Sequence, residues 1–175
     1  MTGVAAFVRN ARLDILSANR LGYALYAPAF LDPARPVNLA RFVYLDRRAT
    51  DFYADWDRIA HDAVGSLRAE AGRAPNDKKL TGLIGELATR SAEFRVRWGG
   101  HDVRYYRSGT QPFHHPLVGD LTLDYEALEL PADPGLTIVA YSAPDGSPAR
   151  QALDRLATST SAPDDATAIT ENRHG

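Results

Sequence analysis

Asp120-Leu121-Thr122-Leu123-Asp124-Tyr125-Glu126 places an apolar or aromatic side chain at every second position, with a polar one between each pair. Successive side chains on a strand point to opposite faces, so this period of two reads as a β-strand with one face buried. Leu128 and Leu130 fall on the other parity, and a β-bulge near Ala127 is the expected cause. Residues 136–142 read as the next strand, with residues 131–135 as the turn between the two. Val103-Arg104-Tyr105-Tyr106-Arg107 reads as a third, so the chain after Gly100 is expected to form a three-stranded meander.

Working back from the meander, the pattern is helical. Residues 50–72 carry Phe52, Trp56, Ile59, Ala60, Ala63 and Leu67 at helical spacing, with Gly72 as the expected stop. Residues 77–90 carry Leu80, Leu83, Ile84 and Leu87 on one stripe, and residues 91–98 form a short helix with Phe94 and Trp98. Asn38 caps a helix in which Leu39, Phe42 and Val43 share a face, after a loop at residues 31–36. Asn19 caps another, with Leu21, Ala24 and Leu25 on its apolar side and Pro28 as its stop. At the N-terminus, Ala5-Ala6-Phe7-Val8 and Leu13-Asp14-Ile15-Leu16 flank Asn10, a turn former, and predict a β-hairpin.

Hairpin, helices, meander and a last helix at residues 147–157 make an α+β domain. Neither set of strands is stable alone in water, so both must join one five-stranded antiparallel sheet with helices packed on it. The domain is expected over residues 1–157, with residues 158–175 a polar, disordered tail.

Composition excludes several classes. The 175 residues suit one domain, and 20 Lys plus Arg against 22 Asp plus Glu give a net charge of -2, unlike the basic footprint of a nucleic-acid binder. The absence of cysteine removes disulfide scaffolds, thiolate metal sites and cysteine nucleophiles. No apolar run reaches the roughly 18 residues of a membrane span, and MTGVAAFVRN is interrupted too early to be a signal peptide, so a cytoplasmic protein without membrane attachment is expected.

Catalytic motifs are missing. Adjacent His114 and His115 would point to opposite faces of a strand, and no H-E-x-x-H spacing accompanies them, so no metal is expected and His115 is read as bonding a loop carbonyl beside Pro116. No G-x-S-x-G elbow positions a serine, and neither Gly82-Leu83-Ile84-Gly85 nor Gly99-Gly100 is a phosphate loop; the first is read as a close helix contact. No enzyme is expected. The charges of the long helix, including Asp51, Asp55, Asp57, Arg58, Asp62 and Arg68, read as solvated surface. Aromatics are more informative: Tyr23, Tyr26, Phe30, Phe42, Trp56, Phe94, Trp98, Tyr105 and Phe113 should converge on the inner sheet face as core, some of them lining an apolar pocket. Arg41 is read either as a surface arginine or as the polar anchor of such a pocket, since guanidinium pairs bidentately with carboxylate.

Asn38-Leu39-Ala40-Arg41-Phe42, Asp55-Trp56, Gly85-Glu86-Leu87, residues 91–94, Trp98, His101-Asp102-Val103, Ser108-Gly109 and residues 115–126 together resemble the ligand-binding domain of MmyB-like transcription regulators. The likeness covers about residues 6–157. It implies a PAS-like fold, a hydrophobic ligand of fatty-acid character, homodimer formation, and a place behind a helix-turn-helix of the XRE type, which this stretch does not contain. The same likeness assigns ligand contacts to Asn38, Leu39, Ala40 and Arg41, with Phe42 as an adjoining wall and Trp98 and His115 as further candidates.

The expected function is therefore a cytoplasmic sensor domain whose Arg41 meets a ligand carboxylate, with a bound fatty acid, no other cofactor, and no DNA binding of its own. The alternative is a ligand-free interaction or dimerisation module.

Overall fold

The computed structural model describes residues 3–100 and 107–159. Strands β1 (Ala5–Arg9) and β2 (Ile15–Ala18) form the predicted hairpin. Asn10 shapes its turn by accepting the Arg12 and Asp14 amides on one side-chain oxygen, both at 3.0 Å. Helices α1 (Arg20–Leu25), α2 (Ala27–Phe30), α3 (Leu39–Leu45), α4 (Arg48–Phe52), α5 (Trp56–Arg73), α6 (Lys78–Arg90) and α7 (Ala92–Trp98) follow. The chain returns to the sheet in β3 (Ser108–His115), β4 (Gly119–Glu129) and β5 (Thr137–Ser142), and ends in α8 (Pro148–Ser159).

The sheet is five-stranded and antiparallel, in the order β2-β1-β5-β4-β3. Hairpin and meander join through β1 and β5, in register from Ala5↔Tyr141 to Arg9↔Thr137. With eight helices among the described residues, the architecture is α+β, consistent with the PAS-like expectation.

Several expected boundaries move. The helix expected over residues 50–72 is two helices: Tyr53 is pulled extended into a bridge with Phe113 of β3, and α5 starts only at Trp56. Gly72 lies inside α5, and Pro28 opens α2, where its missing N–H costs nothing. The bulge near Ala127 is absent, because β4 and β5 stay in register from Asp124↔Ser142 to Glu129↔Thr137. Ala127 keeps the inner parity, Leu128 is simply a half-exposed outer residue, and the register shift lies between Val8 and Arg9 instead. Strand β3 is not evident from the sequence pattern; Pro112 disguises it, a residue tolerated because β3 is the sheet's edge. The strand expected at 103–107 lies outside the described residues except for Arg107, as does the tail from residue 160, while Thr158 and Ser159 belong to α8.

The core has two parts. One fills the space between the inner sheet face and helices α1 to α4 and α8, with Tyr26 at its hub, 5.1 Å from Phe7, 5.4 Å from Phe52 and 6.0 Å from Phe113 between ring centroids. The other is helical, formed by Ala40, Leu67, Leu80, Leu83, Leu87 and Phe94 of α3, α5, α6 and α7. The expected convergence of aromatics on the sheet therefore splits: Phe94 and Trp98 go to the helical core, Tyr23 is half exposed, and Tyr105 lies outside the described residues. Gly82 and Gly85 are exposed, with no neighbouring atom within 4 Å of where a Cβ would stand, so the expected close helix contact is not there.

Candidate functional site

The segment Asn38 to Phe42 opens α3, and each side chain goes somewhere different. Asn38 is buried; its side-chain oxygen caps the helix by accepting the Arg41 amide at 3.0 Å, while its Nδ2 donates to the Arg12 carbonyl and to Asp14 Oδ1 at 2.8 and 2.9 Å. Ala40, with no exposed surface, packs in the helical core. Phe42 packs its ring against Phe52 and Tyr53. Arg41 reaches Glu86 of α6, its Nε donating to Oε2 at 2.9 Å. Asn38, Arg41 and Phe42 together line an outer cavity of about 380 Å³, shared with Arg47, Arg48 and Arg90. Leu39 points the other way, into a cavity under the sheet.

Trp98 stands apart from both cavities, stacked on Phe94 at 5.4 Å with the Arg68 guanidinium 5.2 Å above its ring. His115 is also structural in its contacts. Its Nδ1 accepts the Leu117 amide at 3.1 Å, which leaves the proton on Nε2 to donate to the Ala24 carbonyl of α1 at 3.0 Å. The carbonyl is thus on a helix and not in the loop beside Pro116. Burial holds the imidazole below its ordinary pKa and keeps it neutral. His114, its neighbour, faces outward to Asp120. Among the described residues, no group of three His, Cys, Asp or Glu is placed to hold a metal, and no helix is long and apolar enough to cross a membrane.

The cavity under the sheet is lined by the inner face of β1, β3, β4 and β5 and by α3 and α5, opens to the outside, and measures about 120 Å³. Phe7, Leu39, Val43, Ile59 and Val139 give it apolar walls. Polar groups interrupt them. Tyr26 and Tyr141 share a hydroxyl hydrogen bond of 2.6 Å, and burial pushes both phenols, with that of Tyr53, far above the ordinary range, so all three are neutral. Gln111 lies beside Tyr26, yet its Nε2 completes no hydrogen bond among the described residues. From α5, Asp62 enters the lining with Oδ1 buried and unpartnered, and burial pushes its carboxyl up to about 6 against the pull of Arg58 and His61. Arg58 lies over the Tyr125 ring, 5.8 Å from its centroid, with Nε 3.9 Å from Asp55 Oδ2 and with Nε and Nη2 buried and without hydrogen bonds among the described residues.

Arg58 and Asp62 are therefore not solvated surface, and this corrects the reading of the long helix. A signal for it was present: Asp62 follows Ile59 by three residues and precedes Ser66 by four, which places all three on one helical face. At the cavity's edge, Arg9, Ser66 and Ala127 also line an open groove of about 880 Å³ between α5 and the β4–β5 turn.

The model of one protein family, described as the MmyB-like transcription regulator ligand binding domain, matches residues 1–156. The chain belongs to this family. No curated protein matches it. Within an MmyB-like ligand-binding domain these two cavities are the places to look for the ligand, and Arg41 of α3 joins Glu86 of α6 beside the outer one.

Proposed function

We propose that this MmyB-like domain senses a hydrophobic small molecule of fatty-acid character, held in the cavity under the sheet and reaching out along the groove. The observation that carries the reading is an apolar-walled cavity in the centre of the fold that retains polar atoms without partners. Protein cores seldom leave such atoms unmet, and ligand sites commonly combine apolar walls with a few polar groups. At about 120 Å³ the cavity is smaller than the roughly 300 Å³ at which ligand pockets begin, so the ligand extends past Arg9 into the groove. Arg9 has no ion pair among the described residues and sits where the two spaces join, which suits a carboxylate. Homodimer formation is part of this reading, supported by partly exposed Val8, Ile138 and Leu128, adjacent across β1, β5 and β4. The site of action is the cytoplasm, and DNA is contacted through another domain.

Native mass spectrometry of protein purified from cells, with decanoate titration, tests it. A retained mass in the fatty-acid range or saturable decanoate binding is expected, and Ala63→Leu, which grows into the cavity from α5, should abolish it. An empty chain that also refuses decanoate overturns the proposal.

A second reading places the carboxylate at Arg41, because Asn38, Arg41 and Phe42 share the outer cavity with three further arginines. In that case Arg41→Ala weakens decanoate binding by about 1.5–3 kcal/mol, the value of a hydrogen bond to a charged group, while Ala63→Leu leaves it unchanged.

A further inference from the structure

Two residues that line the cavity under the sheet each bring a buried polar atom without a hydrogen bond among the described residues: Asp62 Oδ1 from α5 and Gln111 Nε2 from β3. Gln111 is only 5% exposed, so bulk water does not reach it. Leaving such atoms unmet is costly, and their chemistry is opposite: the first accepts, the second donates. A group that satisfies both must itself donate one hydrogen bond and accept another. A hydroxyl does this. A carboxylate does not, because it has no proton to give Asp62 and would place a second negative charge beside it. Arg58, which acts on Asp62 from within the helix, lies over Tyr125 and does not line the cavity, and Arg9 sits at the junction with the groove, so no cation lines this end. Tyr26, Tyr53 and Tyr141 are neutral phenols.

We infer that the inner cavity takes a hydroxyl carried on the ligand's chain, held between Asp62 and Gln111, so that the ligand is a hydroxylated acid and not a plain fatty acid. This rests on the ligand occupying the cavity under the sheet. Its carboxylate stays at Arg9 and its hydroxyl points inward, so the protein reads both ends of the chain, the outer by charge and the inner by hydrogen bonding. An apolar methyl terminus would leave both buried atoms unpaired, the situation in which a binding site discriminates most strongly.

Isothermal titration of the full chain with ω-hydroxy acids of about six to about twelve carbons, each beside the unsubstituted acid of equal length, tests the inference. At the chain length that spans Arg9 to the inner end, the hydroxy acid should bind about 10- to 100-fold more tightly, the ratio set by one or two hydrogen bonds to otherwise unpaired groups. Gln111→Met, close in volume, should reduce that preference to within a few-fold while binding of the plain acid persists. If both series bind with no hydroxyl preference at any length, water satisfies the two atoms and the inference falls, while ligand binding in the cavity stands. If neither series binds, the proposed function falls with it.

Discussion

Arg41 of α3 and Glu86 of α6 form an ion pair of 2.9 Å, and Glu86 holds Arg90 of its own helix at 3.1 Å with its other oxygen. Helices α3 and α6 are thereby tied at the edge of the helical core. Both side chains are partly exposed, 42% and 31%, so solvent screens the pair. A double-mutant cycle with Arg41→Ala and Glu86→Ala should therefore give a coupling energy of about 0.5–1 kcal/mol by urea denaturation. A value near zero would show that solvent screens the pair completely and that it does not hold α3 to α6.

Asn38 does more than Arg41 for stability. Its oxygen caps α3, and its nitrogen joins α3 to the hairpin at Arg12 and Asp14. Asn38→Ala should cost about 2–3 kcal/mol, a cap plus buried groups left unpaired. Asn38→Ser keeps the capping oxygen and loses the amide, so its intermediate cost in denaturation measures the bridge separately. Equal stability of the two variants would assign all of the effect to the bridge.

His115 ties β3 to α1 through Ala24. Truncation to Ala leaves that carbonyl and the Leu117 amide unpaired beside a cavity, and should cost about 2–4 kcal/mol. Because the folded pKa is lowered, the wild-type contribution is complete above about 6.5, the unfolded value, and is lost as pH falls towards the folded pKa. The gap between wild type and His115→Ala in chemical denaturation should hence narrow from pH 8 to pH 5. A gap independent of pH would show that the imidazole is not held neutral.

What the sequence made legible was local. Asn10, Asn19 and Asn38 each act as turn former or cap as their side-chain chemistry predicts, and the apolar stripe of α6 is buried as its spacing requires. What it hid depends on distant partners. Helical periodicity runs through residues 52–56, and only the Tyr53–Phe113 bridge, formed once β3 is in place, breaks it. Pro112 masks β3 because an edge position is a property of the whole sheet. The same holds for the site. The motif around Arg41 drew attention through resemblance, whereas Arg9, Asp62 and Gln111 face a common cavity only when β1, β3 and α5 are stacked, and the helical face that Asp62 shares with Ile59 and Ser66 is the one local sign of it.

Asp62 then supplies the most direct check on the burial of the polar groups in the cavity lining. Its carboxyl is pushed from 3.8 up to about 6 by burial, with Arg58 and His61 pulling it down and Asp55 pushing it up on the helical side. From the sheet, Arg9, Gln111 and the cavity tyrosines share its lining. A folded pKa above the unfolded one means that the native state binds the proton more tightly, so ionisation of Asp62 destabilises the fold. That penalty is complete above pH 6 and disappears as pH falls below about 4. Asp62→Asn, which has the same shape without the charge, should be more stable than wild type at pH 8 by about 1–2 kcal/mol, since the unscreened value of about 3 must be discounted for a half-buried group. At pH 4 the two proteins should unfold at the same urea concentration. A variant less stable than wild type at pH 8 would mean that Asp62 is fully paired in solution, and the hydroxyl-binding role would lose its acceptor.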